Sequence, residues 1–251
     1  MKRLSLLLSF LAIVSCGIAQ VKVVAHRGYW ETDGSAQNSI RSLVKADSIH
    51  AYGSEFDIWL TTDNKLAVNH DAKFKGVVLE TATLDDVKGI TLDNGETMPL
   101  LEEYLQTAQT LPNLRLVLEL KALKDKSREN LAVEMISDML DSYGVKERTD
   151  FISFSLNACM EAKKRMPEMK IYYLNGDLGP DKIKDLGFAG IDYYGKTLRA
   201  NPQWIKEAHD LGLEVNVWTI DNPEDIKYFK DAGVDFITTN RPEEALKIIA
   251  E

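Results

Sequence analysis

Titratable side chains occupy the ends of several apolar runs that are long enough to be β-strands. They occur in pairs: His26 with Arg27, Glu55 with Asp57, His70 with Asp71, and Glu119 with Lys121. The chain has only four histidines, so finding two of them beside carboxylates at strand ends is informative. Catalytic groups of a barrel enzyme project from the carboxyl ends of its strands. The pattern therefore predicts a metal site built over the mouth of a barrel.

The carboxylates have the spacing of a cation site. Glu55 and Asp57 lie two residues apart in a predicted strand, so both side chains share one face, which we expect to be the barrel interior. Unpaired carboxylates buried together cost several kcal/mol, and a divalent cation removes that cost. With Glu119 from the next barrel strand and no cysteine, the ligands favour Mg²⁺ or Ca²⁺ over zinc. A metal-free network paired with Arg27 and Lys121 stays open as an alternative.

Two histidines flank this cluster, and they suit displacement at phosphorus. One of His26 and His70 would take a proton from the attacking oxygen, and the other would protonate the leaving alkoxide. The sequence leaves open which is the acid. Arg27 and Lys121 add positive charge of the kind that binds a phosphate. Trp218, at the end of a later strand, would offer a flat apolar wall to a small organic group.

Strand-length apolar runs alternate with helical patterns almost to the end of the chain. Eight barrel strands are predicted at Val21–His26, Ser54–Trp59, Leu114–Leu120, Phe151–Ser155, Lys170–Leu174, Gly190–Tyr193, Glu214–Thr219 and Asp235–Thr239. Leu66–Asp71 follows the second strand too closely for a parallel crossover, so it should fold back antiparallel and bring His70 beside Glu55. Residues 72–98 fit no β/α unit and form a small insertion after strand 2. Eight such units predict a TIM (β/α)8 barrel, with a doubly wound sheet as the alternative.

Several predicted helices begin with residues that favour a helix start. Pro202, Pro223 and Pro242 are each predicted at the first helical position, where proline is favoured, with Asn201 and Asn222 as N-caps. The predicted helices are Ser39–Ala51, Leu100–Thr110, Ser127–Tyr143, Asn157–Met166, Pro202–Leu211, Pro223–Ala232 and Glu243–Ala250.

The first residues form an export signal. Lys2 and Arg3 precede the apolar run LSLLLSFLAIVS, which has the length of a signal-peptide core and is too short to span a bilayer. Cleavage after Ala19 would give a periplasmic or secreted protein. The run Ile13-Val14-Ser15-Cys16 also resembles a lipobox, which would leave a lipoprotein anchored through Cys16. Membrane association is expected only in that second case.

The remaining residues, 20–251, have the length of one domain. The formal net charge is −9, and loss of the leader makes it more negative. An acidic chain without a basic cluster is not suited to nucleic acid. Cys159 lies in a helical pattern, and we interpret it as a packing residue rather than a nucleophile. The oligomeric state is left open.

Taken together, these segments resemble the glycerophosphodiester phosphodiesterase family. The resemblance is carried by HRG (26–28), QNS (37–39), GSEFDIWLTTDNKLAVNHD (53–71), MPLLEEYL (98–105), LELK (118–121) and VWTID (217–221). It implies a TIM barrel with a small insertion that uses a divalent cation to release glycerol 3-phosphate and an alcohol from glycerophosphodiesters.

The resemblance also implies roles for individual residues. The catalytic pair falls on His26 and His70, the phosphate contacts on Arg27 and Lys121, and the metal ligands on the three carboxylates named above.

The chain departs from the family pattern in two places. Ala36-Gln37-Asn38-Ser39 replaces the usual Pro-Glu-Asn-Thr, and Thr239-Asn240-Arg241-Pro242 replaces Thr-Asp-x-Pro. Neither change touches the expected acid, base or ligands, so they bear on substrate preference. Two alternative functions stay open: a lysophospholipase D-like or sphingomyelinase D-like enzyme acting on lipids, and a non-catalytic phosphoester-binding protein.

Overall fold

A computed structural model describes residues 20–251 of the chain. The predicted leader, residues 1–19 with Cys16, lies outside the described residues, so secretion and lipidation stay predictions. None of the helices within residues 20–251 is both long and apolar enough to cross a membrane.

Eight parallel strands close into a barrel, as the sequence predicts. They are β1 (Lys22–Ala25), β2 (Gly53–Leu60), β6 (Arg115–Leu120), β7 (Thr149–Ser153), β8 (Ile171–Tyr173), β9 (Gly190–Tyr194), β10 (Glu214–Trp218) and β11 (Phe236–Thr239). The ring is closed because β1 pairs in parallel with both β2 and β11. Each of the eight predicted barrel strands is present, with ends displaced by at most two residues. The fold is the TIM barrel.

The connection after β2 departs from the β/α repeat. Strand β3 (Leu66–Val68) pairs antiparallel with β2, with Ile58 opposite Val68, so the predicted fold-back is confirmed. The strand is shorter than the predicted Leu66–Asp71, and His70 lies in a bend beyond its end. The insertion holds a two-stranded sheet, β4 (Lys73–Phe74) with β5 (Val77–Val78), a 3₁₀ turn (Leu79–Thr81) and helix α2 (Leu84–Lys88). It adds no strand to the barrel.

Within residues 20–251, nine further helices surround the barrel or cap its ends. They are α1 (Ile40–Ser48), α3 (Leu101–Ala108), α4 (Lys126–Ser142), α5 (Leu156–Arg165), α6 (Pro180–Asp185), α7 (Gly195–Ala200), α8 (Gln203–Asp210), α9 (Pro223–Ala232) and α10 (Pro242–Ala250), and a 3₁₀ turn covers Lys146–Arg148. Pro223 and Pro242 begin their helices as predicted, and the Asn222 side chain caps α9. The prediction for Pro202 is wrong by one residue. Pro202 is itself the N-cap of α8, because Asn201 already ends the short unpredicted helix α7.

The core has two layers, separated by the barrel wall. Alternate residues of β2 point outward to the helices, where Phe56 stacks on Tyr104 of α3 with 4.3 Å between ring centroids. The inward layer is small and is formed by Val24, Val117, Ile152, Tyr172, Leu174 and Phe236. Cys159 is buried in the outer layer, which confirms the packing interpretation. The charged side chains of β2 and β6 lie on the inward face, above this small apolar layer.

Candidate active site

Three buried carboxylates meet at the carboxyl ends of β2 and β6. Asp57 and Glu119 are register partners on these adjacent strands, and Glu55 precedes Asp57 by two residues on the same face. One oxygen from each of the three residues lies within 4.8 Å of the others. Glu55 Oε1 is buried and has no hydrogen-bond partner among residues 20–251. An unpartnered oxygen in an all-oxygen donor set fits a hard divalent cation, so the structure supports a metal site here without identifying the ion.

The pKa values of these three carboxyl groups show which of them hold protons that a bound cation would displace. Burial and the neighbouring carboxylates raise the pKa of Glu55 well above its usual value, and burial raises the pKa of Glu119 to about 8. Burial also acts to raise the pKa of Asp57, but Lys121 and His70 outweigh it and hold that pKa well below its usual range. Without a metal, Glu119 is therefore largely protonated near neutral pH, and Glu55 keeps its proton to higher pH than an ordinary glutamate. Cation binding would displace those protons and should strengthen as the pH rises.

Lys121 and Asn38 hold the carboxylates in place. Lys121 Nζ lies 2.7 Å from Glu119 Oε1 and 2.8 Å from Asp57 Oδ1. The Asn38 side-chain amide donates to Asp57 Oδ2 at 2.8 Å, and its carbonyl oxygen accepts from the Asp57 backbone N–H at 3.0 Å. Sequence reasoning assigned Asn38 no role, although it lies within the QNS segment. This two-way contact leaves one oxygen of Asp57 directed at the cluster.

Arg27 lies in a strained turn at the edge of the cluster. Its φ of 58° is in the left-handed region, and Asn38 has the same unusual φ. Such strain in non-glycine residues is characteristic of functional sites. In this conformation the Arg27 backbone N–H donates to Glu55 Oε2 at 2.7 Å, and its guanidinium donates to Gln37 Oε1 at 2.6 Å. Gln37 replaces the glutamate usual in the family, so a neutral group holds Arg27.

Gly28 makes this turn possible. Its φ is +76°, and a Cβ at this position would lie 2.3 Å from the side-chain oxygen of Ser42. Both the backbone conformation and the contact with α1 therefore require glycine. The glycine of the HRG segment serves to place its two neighbours, His26 and Arg27.

The hydrogen bonds around His26 determine its tautomer. Asp221 accepts from the Asn240 side-chain amide at 2.8 Å, and His26 Nδ1 lies 2.8 Å from Asn240 Oδ1. An ionised carboxylate only accepts, so Asn240 must direct its NH₂ at Asp221 and its oxygen at His26. Nδ1 of His26 therefore carries the proton and donates it to Asn240, and Nε2 is left with its lone pair. The expectation that the change at Asn240 does not touch the acid or base is wrong, because Asn240 is the hydrogen-bond partner of His26. Burial and the Arg27 charge lower the pKa of His26 to about 4.

His70 has a different partner. Its Nδ1 lies 2.8 Å from Asp71 Oδ1, a charged acceptor in place of the neutral amide beside His26. Its backbone oxygen accepts from Trp59 Nε1 at 3.2 Å, which fixes the bend after β3. Burial lowers the pKa of His70, and Asp57 and Asp71 act in the opposite direction. The two histidines therefore differ in how readily each carries a proton.

One cavity of about 100 Å³ brings the predicted residues together. On one side is the charged wall, made by residues at the ends of β1, β2, β3 and β6: His26, Arg27, Glu55, His70, Glu119 and Lys121. On the other side is the aromatic wall, made by Phe154, Leu174, Asp192 and Trp218. Of the predicted site residues only Asp57 does not line the cavity, and it lies directly beneath, against Lys121.

Trp218 is the centre of the aromatic wall. Its ring lies 5.6 Å from Phe154 and 5.3 Å from Tyr194, measured between centroids. Its indole N–H donates to the Asp192 backbone oxygen at 2.9 Å, which orients the ring.

A larger cavity of about 440 Å³ is lined by Arg115, Lys146 and Lys170 among others, but each of these cations is already paired with a carboxylate.

A parallel eight-stranded barrel with titratable groups at the carboxyl ends of its strands is the layout of a TIM-barrel enzyme. The model of the glycerophosphoryl diester phosphodiesterase family matches residues 26–244. The chain belongs to this family, which confirms the resemblance.

Individual relatives agree with the family match. A glycerophosphodiester phosphodiesterase structure from Parabacteroides distasonis is 47% identical, with a TM-score of 0.92 over 93% of this chain and 98% of that one. A glycerophosphodiester phosphodiesterase of Caldanaerobacter subterraneus subsp. tengcongensis is 26% identical over 90% of this chain and 97% of its own length. A phosphodiesterase structure from Oleispira antarctica, in complex with the product sn-glycerol-3-phosphate, shares the fold at 22% identity over 92% of this chain and 98% of its own, with a TM-score of 0.79.

Proposed function

We propose that this protein hydrolyses glycerophosphodiesters to glycerol 3-phosphate and an alcohol, with a bound divalent cation. The observation that carries the proposal is the charged wall, in which two histidines flank a buried carboxylate triad in one small cavity. Membership of the family supports the reaction type. The product seen in the Oleispira antarctica structure has the chemistry that such a site would release.

Three residues would hold the cation, and two more would contact the phosphate. Glu55, Asp57 and Glu119 supply the oxygen ligands, and Mg²⁺ or Ca²⁺ bound there would neutralise charge on the phosphate oxygens. Lys121 has three N–H groups and directs its ammonium at two carboxylates, which leaves one donor for substrate. Arg27 Nε has no hydrogen-bond partner among residues 20–251 and is the second cationic donor at the cavity.

The contacts of the two histidines assign them different roles. His26 is the general base, because Asn240 receives its Nδ1 proton and its Nε2 is free to take the proton of the attacking oxygen as the new P–O bond forms. His70 is the general acid, because burial lowers its pKa but Asp57 and the Asp71 carboxylate at its Nδ1 act against that shift, whereas the partner at Nδ1 of His26 is a neutral amide. His70 gives its proton to the leaving alkoxide as the old P–O bond breaks. The sequence left this assignment open.

The size of the cavity favours small headgroup diesters over lipids. A volume of about 100 Å³ is far too small for an acyl chain, and parts of a small headgroup diester that do not fit would extend through the open mouth of the cavity. The alternative substrates, lysophospholipids and sphingomyelin, would have to leave their chains outside, along the exposed Phe154 and Leu156. The third hypothesis is a non-catalytic phosphoester-binding protein. Such a protein would have no need for two histidines with different hydrogen-bond partners.

The leader extends the proposal to the location of the reaction. Export to the periplasm or beyond, with or without a lipid on Cys16, would place the enzyme where it meets headgroup diesters outside the cytoplasm. Fractionation of cells producing the native protein and a Cys16→Ala variant would test this. An anchored protein should be lost from the membrane fraction on substitution, and a soluble one should be unaffected; retention of both in the cytoplasm would overturn export.

The decisive assay is release of glycerol 3-phosphate from glycerophosphocholine, glycerophosphoethanolamine and glycerophosphoinositol, with and without EDTA. We expect product that disappears with chelator and returns with Mg²⁺ or Ca²⁺. The matched control is the His26→Gln/His70→Gln double variant prepared identically, which excludes a contaminating hydrolase. Turnover that is unaffected by EDTA would overturn the metal, and no turnover of any diester would overturn the function.

A further inference from the structure

The proposed reaction assigns no role to one buried carboxyl group in the cavity, that of Asp192. Asp192 lies in the middle of β9, and in the ring of eight strands β9 is directly opposite β2, which carries Glu55 and Asp57. Asp192 lines the same cavity as the two histidines, but from the aromatic wall. It is therefore placed to meet the organic part of a diester whose phosphate lies at the charged wall.

One oxygen of the Asp192 side chain, Oδ1, has no hydrogen-bond partner among residues 20–251, although the Asn216 amide lies close enough to the carboxyl group to act against the burial that raises its pKa. The residue is 2% exposed. The neighbouring polar pair, Asn216 and Thr238, makes mutual hydrogen bonds of 2.9 and 3.2 Å. Among residues 20–251 Asp192 forms no ion pair with a lysine, arginine or histidine; Lys121 and Lys170 pair instead with Asp57 and Glu214. A buried polar atom without a partner is costly, and it points to a ligand or a water molecule.

The carboxyl group is suited to a hydroxyl. Burial raises the pKa of Asp192 to about 7, so a large share of the molecules carry it in the neutral form near neutral pH. A neutral carboxyl group both donates and accepts, as a hydroxyl does. Asp192 is not part of the carboxylate cluster that could bind a metal, and its surroundings on this wall are Trp218, Phe154 and Leu174. A largely apolar wall with a few polar groups is the usual composition of a site for a small organic group.

From this geometry we infer that Asp192 recognises a hydroxyl of the glycerol group, while the rings of Trp218 and Phe154 contact its C–H edges. The inference rests on the proposed function and makes it more specific. Glycerol is the part that all the proposed substrates share, whereas the leaving alcohol differs among them, so a fixed buried partner suits glycerol. Diesters that carry an unsubstituted alkyl chain in place of glycerol should then be poor substrates.

A water molecule is the competing explanation. An interior cavity of about 20 Å³ lies below Asp192, bordered by Asn216, Tyr172 and Phe236. That volume is enough for one water molecule. If such a water were the reason for the carboxyl group, Asp192 would stabilise the barrel and would not distinguish one ligand from another.

Calorimetric titration separates these explanations. The metal-loaded protein is titrated with sn-glycerol 3-phosphate and with 1-propyl phosphate, which has the same carbon chain without hydroxyl groups. The proteins are the wild type, Asp192→Asn, which keeps a donor and an acceptor, and Asp192→Leu, which keeps neither. We expect the wild type to prefer glycerol 3-phosphate, Asp192→Asn to retain most of that preference, and Asp192→Leu to lose about tenfold or more of it with propyl phosphate unchanged.

Two results would overturn the inference. One is a wild-type preference that persists in Asp192→Leu. The other is an equal loss of affinity for both ligands together with a lower Tm, which is the signature of a structural role. Glycerophosphodiester hydrolysis is assayed in parallel with the same preparations. A wild type that turns over no diester contradicts the proposed function itself, whereas normal wild-type turnover with an unaffected Asp192→Leu variant contradicts only the role of Asp192.

Discussion

The charged wall and the aromatic wall face one another across the same cavity, yet they are built on different principles. On the charged wall the side chains are linked to one another: Asn38 holds Asp57, the Arg27 backbone holds Glu55, and Lys121 joins two carboxylates. Its atoms without a hydrogen-bond partner among residues 20–251, Glu55 Oε1 and Arg27 Nε, belong to this linked network. On the aromatic wall, Trp218 is oriented by one hydrogen bond, and Asp192 has an oxygen without a partner. The charged wall is therefore a linked network whose unpartnered atoms lie where a cation and a phosphate would bind, whereas Asp192 on the aromatic wall stands outside that network.

This difference suggests that the charged wall serves catalysis and the aromatic wall serves substrate binding. Preorganised charges stabilise a transition state because they need not reorganise during the reaction, so the charged wall should govern kcat for every substrate. The aromatic wall touches atoms that do not react, so it should govern how tightly a diester that carries glycerol binds relative to one that does not. Substitutions on the two walls are therefore expected to give different kinetic signatures.

The largest effect is expected from the histidines of the charged wall. His26→Gln and His70→Gln should each lower kcat by about 10²-fold or more, the scale of general acid–base catalysis, for all glycerophosphodiesters alike. His209→Gln is the matched control, because His209 pairs with Asp235 on the protein surface, away from the cavity. Steady-state kinetics with circular dichroism of each variant provide the measurement. Near-normal turnover in either active-site variant would contradict the assignment of that histidine as acid or base.

The carboxylate ligands should show a different signature. Glu55→Gln keeps the side-chain shape but removes the charge, so we expect the cation concentration for half-maximal activity to rise on the order of 10² -fold. Glu102→Gln on the exposed face of α3 is the control. A titration of each variant with Mg²⁺ and with Ca²⁺ measures the shift. An unaltered activation curve would mean that Glu55 is not a ligand.

Asn240 allows the acid–base assignment to be tested through pH. A base must be unprotonated, and with a His26 pKa of about 4 the wild type should keep its base free down to about that pH. Asn240→Asp places a carboxylate against Nδ1, which stabilises the imidazolium and raises the pKa of His26. The acid limb of kcat/KM should therefore move to higher pH, with a loss of roughly tenfold for each pH unit below the new pKa. If the limb stays in place, His26 is not the base.

The sequence predicts the barrel well because each strand carries its own local pattern. The fold-back of β3 is also predictable, since the chain between it and β2 is too short for a crossover. The contacts of Asn240 and Asp192 are not predictable in this way. Asn240 lies 214 residues from His26, and nothing in its own segment indicates that the two side chains meet. Asp192 alternates with Ile191 and Tyr193 as any strand residue would, and only the closed barrel shows that its Oδ1 is buried without a hydrogen-bond partner among residues 20–251.

The smallest effect is expected at Trp218, and it is the one that tests the aromatic wall directly. Trp218→Leu removes a ring that contacts Phe154 and Tyr194, but it leaves the charged wall intact. Aromatic contacts of this kind contribute about 0.5–1.5 kcal/mol, so KM should rise by about threefold to tenfold while kcat stays near the wild-type value. Kinetics with glycerophosphocholine and glycerophosphoinositol would measure both constants. A fall in kcat without a change in KM would place Trp218 with the charged wall, and the division of tasks between the two walls would then be wrong.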